Sequence, residues 1–408
     1  MRYTLIVSDV HLSTVVRAPG TFMPYRRPEH LPDAELAKAF DRAVLQAASS
    51  GAELEVVLNG DLFDLDAPQV PSSSSQANRK VSELPEEDTY EAQRSAGPAA
   101  RLMTAILEDH PIVTESLGRV LSSGARVVVI PGNHDSQLAF SSVRVALAHA
   151  LTQASKTSSP RLAFRSWFHQ TPDGVHIEHG HPYDPTCTME YMSAPADERL
   201  EDTIGSVTSH YVPLLLSHVN PYASDPLGAL PEDLAGVLKA CLSGGPCSLP
   251  GYGAALARYF RQLLLVRPSD PEGVRDPRWF AQVARENSAS LEAVTAHRTL
   301  FAPKADGQLL SRTLTRDHDY GRDVDERLRS AMSKISQLYN VRGVVMGHTH
   351  APFAAVTPNR VWLANSGSWT PTVGRTSAGP VGSFVWITSE GPRLAGQLRH
   401  VWPSGVVT

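Results

Sequence analysis

Five short apolar segments of this 408-residue chain run directly into polar side chains of the kinds that bind metals. The segments cover residues 3–7, 54–58, 126–130, 175–177 and 341–346, and they lead into the motifs SDVH, NGDLFD, PGNHD, EHGH and GHTH. Apolar runs of this length that stop at Gly or Asp are typical of buried strands. Since α/β sheets carry their functional loops at the carboxyl ends of strands, the pattern predicts one site built from distant loops.

The segments between these strands predict a layered α/β fold. Residues 34–48 and 324–338 place apolar side chains at helical spacing, which indicates amphipathic helices. After residue 360 the apolar stretches 361–364, 382–387 and 393–401 follow one another without a helical pattern between them. We therefore expect a sheet-rich C-terminal portion.

Two stretches are predicted to be insertions into a core formed by residues 1–184 and 323–408. Residues 66–98 contain SSSSQ, acidic residues and prolines, which predicts a mobile surface loop. Residues 185–322 show helical patterns separated by proline-rich breaks, at 234–242, 256–266 and 279–284. This larger stretch is expected to form a mostly helical cap over the strand ends.

Composition narrows the class of protein. Hydrophobic residues make up 42% of the chain and charged residues 19%, which is too apolar for a wholly disordered protein. The net charge of −5 gives no clear nucleic-acid signal and no general attraction to anionic membranes. Three cysteines are too few for a disulfide framework.

The N-terminal segment and the apolar stretches of the chain favour a cytoplasmic location. Asp9 comes too early for the apolar region of a secretory leader. The best apolar stretch, 211–219, is short and contains Pro213 and His218, so we expect no membrane-spanning helix.

The motifs supply two carboxylates, one amide oxygen and four imidazoles as candidate metal ligands: Asp9, His11, Asp61, Asn133, His179, His348 and His350. Mixed oxygen and nitrogen ligation without thiolate suits two divalent ions of Mn, Fe, Zn or Co. We expect Asp61 to bridge them, because the preceding Gly60 allows a close approach of backbone and metal. Two such cations outweigh two carboxylates in charge, which predicts a phosphorylated small-molecule substrate.

Taken together and in this order, the five motifs resemble those of the calcineurin-like metallophosphoesterase family. The resemblance covers about residues 1–65, 100–185 and 335–400, and it implies a β-sandwich flanked by helices. It also implies that Asp9, His11, Asp61 and His350 hold the first metal. The second metal would then be held by Asp61, Asn133, His179 and His348. The implied reaction is phosphoester hydrolysis by a metal-bridging hydroxide.

The resemblance further implies that His134 protonates the leaving oxygen and that Asp135 orients His134. His181 is expected beside the metals or the substrate. Arg26 and Arg27 follow the first motif in a loop that would reach the site, and arginine suits phosphate binding. Asp64, by contrast, is expected to satisfy local backbone donors of a turn.

The expected activity is hydrolysis of a small phosphodiester or nucleotide-type substrate, because a large cap restricts access to duplex nucleic acid. Three alternatives remain open. SDVHL and GDLFD also resemble UDP-diacylglucosamine pyrophosphohydrolases, which act on a lipid-linked nucleotide and often carry arginine at the position of His134. A nuclease or DNA-repair factor would require a basic groove. An inactive binding or scaffold protein would have no need of the complete ligand set.

Overall fold

The computed structural model describes residues 1–15, 31–68, 90–189, 192, 199–216, 249–266, 277–305, 320–370, 380–403 and 406–408. Eleven strands in these residues form two mixed sheets. The strands are β1 (Arg2–Val7), β2 (Glu53–Asn59), β3 (Arg126–Ile130), β4 (Leu162–Phe164), β5 (Phe168–Gln170), β6 (Val175–Glu178), β7 (Gly343–Met346), β8 (Phe353–Val356), β9 (Trp362–Asn365), β10 (Gly382–Glu390) and β11 (Arg393–Val401).

The first sheet has the order β11-β10-β1-β2-β3-β4. Strands β1 to β4 are parallel to one another, and β10 is antiparallel to both of its neighbours, β1 and β11. The second sheet has the order β5-β6-β7-β9-β8, with β6, β7 and β9 parallel. Its edge strands β5 and β8 are antiparallel to their neighbours. Each sheet therefore presents the carboxyl ends of several adjacent parallel strands at one edge.

Both faces of each sheet are covered, which explains the nearly continuous apolar strands. In β1, Leu5 and Val7 belong to a core shared with helices, whereas Ile6 belongs to a core between the two sheets. In β7, Val345 faces the same inter-sheet core, and its neighbours Val344 and Met346 face a third core. The alternation follows from the two-residue period of a strand.

The described residues contain ten α-helices, which are α1 (Asp33–Ser50), α2 (Tyr90–Gln93), α3 (Ala96–Asp109), α4 (Pro111–Ser122), α5 (Ser141–Ser155), α6 (Ile204–Leu216), α7 (Leu249–Leu265), α8 (Pro277–Asn287), α9 (Leu291–Arg298) and α10 (Tyr320–Leu338). Helix α1 shows how the sequence defines them. It buries Leu36, Phe40 and Ala43 along one face, and it ends where Gly51 takes a left-handed conformation at φ 62°.

These helices form two outer layers. α1, α3, α4 and α5 pack on the outer face of the first sheet. α8, α9 and α10 pack on the outer face of the second sheet, where Trp279, Val294 and Met332 share one core with Val344. The α/β class predicted from the sequence is confirmed, and the predicted strands after residue 360 are present as β9, β10 and β11.

The stretch predicted to be a mobile loop is partly helical. Residues 69–89 of the expected loop 66–98 lie outside the described residues, but α2 and the start of α3 lie within residues 90–98. Asp66 and Arg94 are both fully buried and form an ion pair of 3.0 Å between Oδ1 and Nη1. The prediction is therefore wrong for residues 90–98, because this buried pair and the α3 face anchor them to the core.

The expected cap, residues 185–322, occupies two different places. Its described residues are mainly helical, as predicted, although 234–242 lies outside them. α8 and α9 do not cover the strand ends. Instead, Glu286 and Asn287 of α8 accept hydrogen bonds from the backbone of Ser166 and Gln170 beside the second sheet. Among the described residues of this stretch, α6 lies at the strand ends, since Ser209 Oγ is 3.4 Å from His134 Nε2.

Within the described part of the chain, every helix is either too short or too polar to cross a membrane.

The buried Asp66–Arg94 pair gives a stability prediction. Arg94→Ala leaves Asp66 unpaired in the core, and we expect the free energy of unfolding to fall by about 3–5 kcal/mol. Burial raises the pKa of Asp66 even beside Arg94, so the variant's carboxyl is most stable when protonated. Its loss of stability should therefore shrink as the pH is lowered. Urea unfolding at several pH values measures both effects.

Arg119→Ala is the matched control, because Arg119 pairs with Asp41 at 2.8 Å on the exposed surface. This substitution is expected to cost no more than about 1 kcal/mol. Equal losses for the two variants would contradict a special role of the buried pair.

Candidate metal centre

All seven predicted ligands lie just beyond the carboxyl ends of five strands. β1, β2 and β3 of the first sheet lead to Asp9, Asp61 and Asn133, and β6 and β7 of the second sheet lead to His179, His348 and His350. His11 follows Asp9 in the loop after β1. The fold thus brings together side chains separated by 341 positions in the sequence, from Asp9 to His350.

Backbone hydrogen bonds tie these loops to one another. The His11 amide donates to the Asp61 carbonyl at 3.0 Å, and the Gly347 amide donates to the His179 carbonyl at 2.9 Å. The two sheets are joined at the site because the His348 amide donates to the Asp9 carboxylate at 3.1 Å. The positions of the candidate ligands are therefore fixed by main-chain contacts.

The backbone is strained at the candidate ligands. Among the described residues, nine other than glycine have positive φ, and five of these are predicted metal ligands: Asp9, His11, Asp61, His348 and His350. Their φ values lie between 51° and 72°, the left-handed region that residues with a Cβ rarely adopt. Strain of this kind clusters at functional sites, where surrounding contacts maintain it.

One group of ligand atoms comprises Asp9, His11 and His350. His350 Nε2 lies 3.3 Å from Asp9 Oδ1. His11 Nε2 and His350 Nε2 are only 3.2 Å apart. Two imidazole nitrogens at this distance repel each other when both present lone pairs, so the arrangement needs a shared proton or a cation.

Asp61 lies between this group and the next. Its Oδ2 is 3.1 Å from His179 Nε2 and 4.0 Å from His11 Nε2. Its Oδ1 accepts the backbone N–H of His134 at 2.8 Å, which fixes the orientation of the carboxylate. Asp61 therefore occupies the position expected of a ligand that two cations share.

The second group contains His179, Asp61 and His348, with Asn133 beside them. His179 Nδ1 donates to the Asn59 carbonyl at 2.9 Å, which leaves Nε2 as the acceptor of a neutral ring. That Nε2 faces Asn133 Oδ1 at 3.2 Å and Asp61 Oδ2 at 3.1 Å. Three acceptor atoms in contact are the arrangement that a metal cation stabilises.

Two glycines permit this close packing. A Cβ built on Gly60 would lie 2.5 Å from the His179 ring, and Gly60 has φ 79°. A Cβ on Gly132 would lie 2.1 Å from Asp61 Oδ1. Glycine is required at both positions, because any side chain would displace a candidate ligand.

The electrostatics of the centre favour bound positive charge. Burial opposes ionisation of Asp61, but His179 and His134 outweigh it and hold the pKa of that carboxyl well below its usual value. Burial likewise opposes protonation of His179, yet Asp61 and Asp9 raise its pKa to about 9. The two carboxylates thus attract either protons to the imidazoles or a metal ion in their place.

His134 lies at this centre, but the residue that holds it differs from the predicted one. His134 Nδ1 is 3.0 Å from Asp64 Oδ1. Asp135 instead accepts backbone N–H groups of Leu62, Phe63 and Gly132, and thereby ties the loop after β2 to the loop after β3. The prediction that Asp135 orients His134 is therefore wrong, because the carboxylate in contact with His134 is that of Asp64. The expected turn contact of Asp64 is also present, since its Oδ1 accepts the Ala67 N–H at 3.0 Å.

Of the predicted substrate-binding residues, the structure describes only His181. His181 is buried beside the centre, with its ring centroid 5.5 Å from that of His179, and its Nδ1 has no hydrogen-bond partner among the described residues. Its contact with a substrate stays a prediction. Arg26 and Arg27 lie outside the described residues.

Asp184, which was not among the residues predicted from the motifs, also contacts a candidate ligand. Its Oδ2 lies 3.1 Å from His348 Nε2, and its Oδ1 accepts the Thr186 backbone N–H at 2.7 Å. A carboxylate on the far nitrogen of a metal-binding histidine fixes the ring orientation and raises its basicity. The available signal was its position in the polar segment EHGHPYD after β6.

The residues present fit a pair of divalent cations. Two carboxylates, one amide oxygen and four imidazoles converge from both sheets, and bound cations would account for both the strained backbone and the closely spaced acceptor atoms. Such donors suit Mn, Fe, Zn or Co. A search of protein-family models found no match for this chain, and a search of curated proteins also found none. The assignment of a function therefore rests on the site itself.

Gly60→Ala tests whether this geometry holds metal. The new methyl group must displace the His179 ring, so we expect the bound metal per chain to fall. Gly124→Ala is a matched control, because Gly124 has a similar φ of 83° but nothing within 4 Å of its Cβ position. Both variants should lose about 1–2 kcal/mol of stability from the left-handed backbone. Elemental analysis should show metal loss in Gly60→Ala alone, and normal metal content there would contradict the site.

Proposed function

We propose that this chain is a dinuclear metal-dependent phosphohydrolase of the calcineurin-like metallophosphoesterase family. The observation that carries the proposal is the position of Asp61, whose Oδ2 lies 3.1 Å from His179 Nε2 and 4.0 Å from His11 Nε2, between two groups of candidate ligands. A single-metal site has no need of a carboxylate in this position.

The first cation would be held by Asp9, His11, Asp61 and His350, and the second by Asp61, Asn133, His179 and His348. When bound, two such ions polarise a phosphoryl oxygen and lower the pKa of water toward neutrality. The cations bring more charge than Asp9 and Asp61 neutralise, which leaves a net attraction for an anionic phosphoester.

His134 is the proposed general acid. Asp64 accepts Nδ1–H, so the protonated ring directs its second proton, on Nε2, away from Asp64. This Nε2 lies 3.4 Å from Ser209 Oγ and the ring packs edge-on against His11, with centroids 4.5 Å apart. The proton is therefore held beside the ligands of the first cation, where the leaving oxygen of a bound phosphoester would collect it.

The pKa of His134 suits this task. Burial opposes its protonation, but the carboxylates of Asp61 and Asp64 raise its pKa to about 10. Two nearby cations would lower this value toward neutrality, since like charges disfavour the imidazolium. The carboxylates thus keep His134 protonated in a centre whose cations would otherwise deprotonate it.

The expected substrate is a small phosphodiester or nucleotide-type molecule. Ser209 and His210 place α6 against the catalytic loops, because Ser209 faces His134 and His210 Nδ1 donates to the Asp66 carbonyl at 3.0 Å. A helix in this position limits the space above His134, which favours a small ester over duplex nucleic acid.

Two variants separate metal binding from proton transfer. Asp61→Ala is expected to lose metal and activity together. His134→Ala should retain its metal and lose turnover by roughly 10²–10⁴-fold, because only the proton donor is removed. Elemental analysis and a panel of chromogenic monoesters and diesters measure these effects. His149→Ala, on the outer helix α5, is the control, and equal activity in all the proteins would contradict the proposal.

A pH profile tests the pairing of His134 with Asp64. Activity should fall as the pH rises through the pKa of His134, because the acid must be protonated. Asp64→Asn removes a negative charge that raises this pKa, so the falling limb should move to lower pH by roughly one unit or more. Asp41→Asn, at the surface, should leave the profile in place. An unchanged limb in Asp64→Asn would argue against His134 as the acid.

A further inference from the structure

A second group of potential metal ligands lies on the outer face of the second sheet, within the core shared with α8, α9 and α10. It consists of His176 and Glu178 on β6 and His297 on α9. His176 and Glu178 share a face of β6 because side chains alternate along a strand, whereas Ile177 points into the inter-sheet core. The group therefore lies on the outer face of the second sheet, whereas the candidate metal centre lies beyond the carboxyl ends of the strands.

All three side chains are fully buried, with His176, Glu178 and His297 each 0% exposed. His176 Nε2 lies 3.7 Å from Glu178 Oε2, and His297 Nε2 lies 3.6 Å from the same oxygen. These distances exceed a hydrogen bond. They are close to the separation of roughly 3.3 Å between ligand atoms around a tetrahedral zinc ion with bonds of about 2.0 Å.

Two polar atoms of this group lack hydrogen-bond partners among the described residues: His176 Nε2 and Glu178 Oε2. Among the same residues, no lysine or arginine forms an ion pair with Glu178. A buried carboxylate oxygen without a donor carries a large desolvation cost. A cation between His176, Glu178 and His297 would remove this cost, because it bonds to both unpartnered atoms at once.

The surrounding side chains support such a site. Tyr339 Oη lies 3.1 Å from His297 Nδ1, so it can accept the Nδ1–H of a ring whose Nε2 binds metal. Tyr183 Oη donates its one proton to Glu178 Oε1 at 2.7 Å, so at 2.8 Å from His297 Nε2 it accepts the Nε2–H of that ring. A zinc ion on His297 Nε2 would replace this proton and lie within reach of the Tyr183 oxygen. Trp167 stacks on His297 with centroids 4.2 Å apart, which excludes water.

We propose that His176, Glu178 and His297 bind a structural zinc ion, with the Tyr183 hydroxyl beside it. Two imidazoles and one carboxylate bind zinc in sites that keep a fourth position open, and here the Tyr183 hydroxyl would close that position. The ion would join α9 to β6 and so fasten the outer helical layer to the second sheet. This site is distinct from the proposed catalytic centre, and it needs neither a substrate nor an intact Asp61.

Zinc counting on the full chain tests the proposal. The protein is loaded with Zn²⁺, freed of excess ion, and analysed for zinc per folded chain. His297→Gln should carry one zinc ion fewer than the wild type. His169→Gln is the matched control, because His169 is also buried and pairs with a glutamate, Glu55, at 3.1 Å, but within the described part of the chain this pair belongs to no group of three candidate ligands. It should carry the wild-type amount, and an unchanged count in His297→Gln would overturn the proposal.

Two further measurements keep the test decisive if His297→Gln does not fold. Glu178→Gln preserves the shape of the side chain and should also lose one zinc ion. Anomalous diffraction from zinc-loaded wild-type crystals needs no variant, and a peak between His176, Glu178 and His297 is expected. A zinc peak at the Asp61 centre with no peak between His176, Glu178 and His297 would contradict the proposal, and would show that these three residues form a hydrogen-bonded cluster. The zinc peak between His176, Glu178 and His297 does not depend on catalytic activity. A failure of the proposed function can therefore be distinguished from a failure of this zinc site.

Discussion

Because both sheets bury apolar side chains on both faces, polar groups concentrate where the strands end. Asp9 and Asp61 stand at the carboxyl ends of adjacent parallel strands, β1 and β2, and neither side chain is in contact with bulk water. Both buried carboxylates have an oxygen within 4.0 Å of His179 Nε2, and two buried negative charges that share a neighbour require compensating positive charge. The imidazoles that approach from β6 and β7 can share that charge, and this requirement connects the fold to the proposed metal chemistry.

Much of this arrangement could be predicted from the sequence, because strand ends and ligand types are local features. The motifs located Asp9, Asp61 and His179 at strand ends, and the shared edge of each sheet follows from parallel pairing. The role of Asp64 could not be predicted in the same way. Its contact with His134 depends on how the loop after β2 crosses the loop after β3, which no sequence spacing determines.

The positions of α8 and of His297 depend on long-range packing, so they could not be predicted from the sequence either. Residues 279–284 have a helical pattern, but only contact with Trp167 and Phe168 shows that α8 covers the second sheet rather than the strand ends. His297 carried no motif at all. Its position beside Glu178 follows from the docking of α9 on β6, and a histidine 119 positions along the chain from its carboxylate partner gives no local signal.

Electron paramagnetic resonance of the manganese-loaded protein tests directly whether two cations share the Asp61 carboxylate. Exchange between two ions joined by one carboxylate produces a coupled spectrum that isolated Mn²⁺ does not show. We expect this coupled signal in the wild type and its loss in Asp61→Ala. A spectrum of isolated Mn²⁺ alone in the fully loaded wild type would contradict a pair of cations bridged by Asp61.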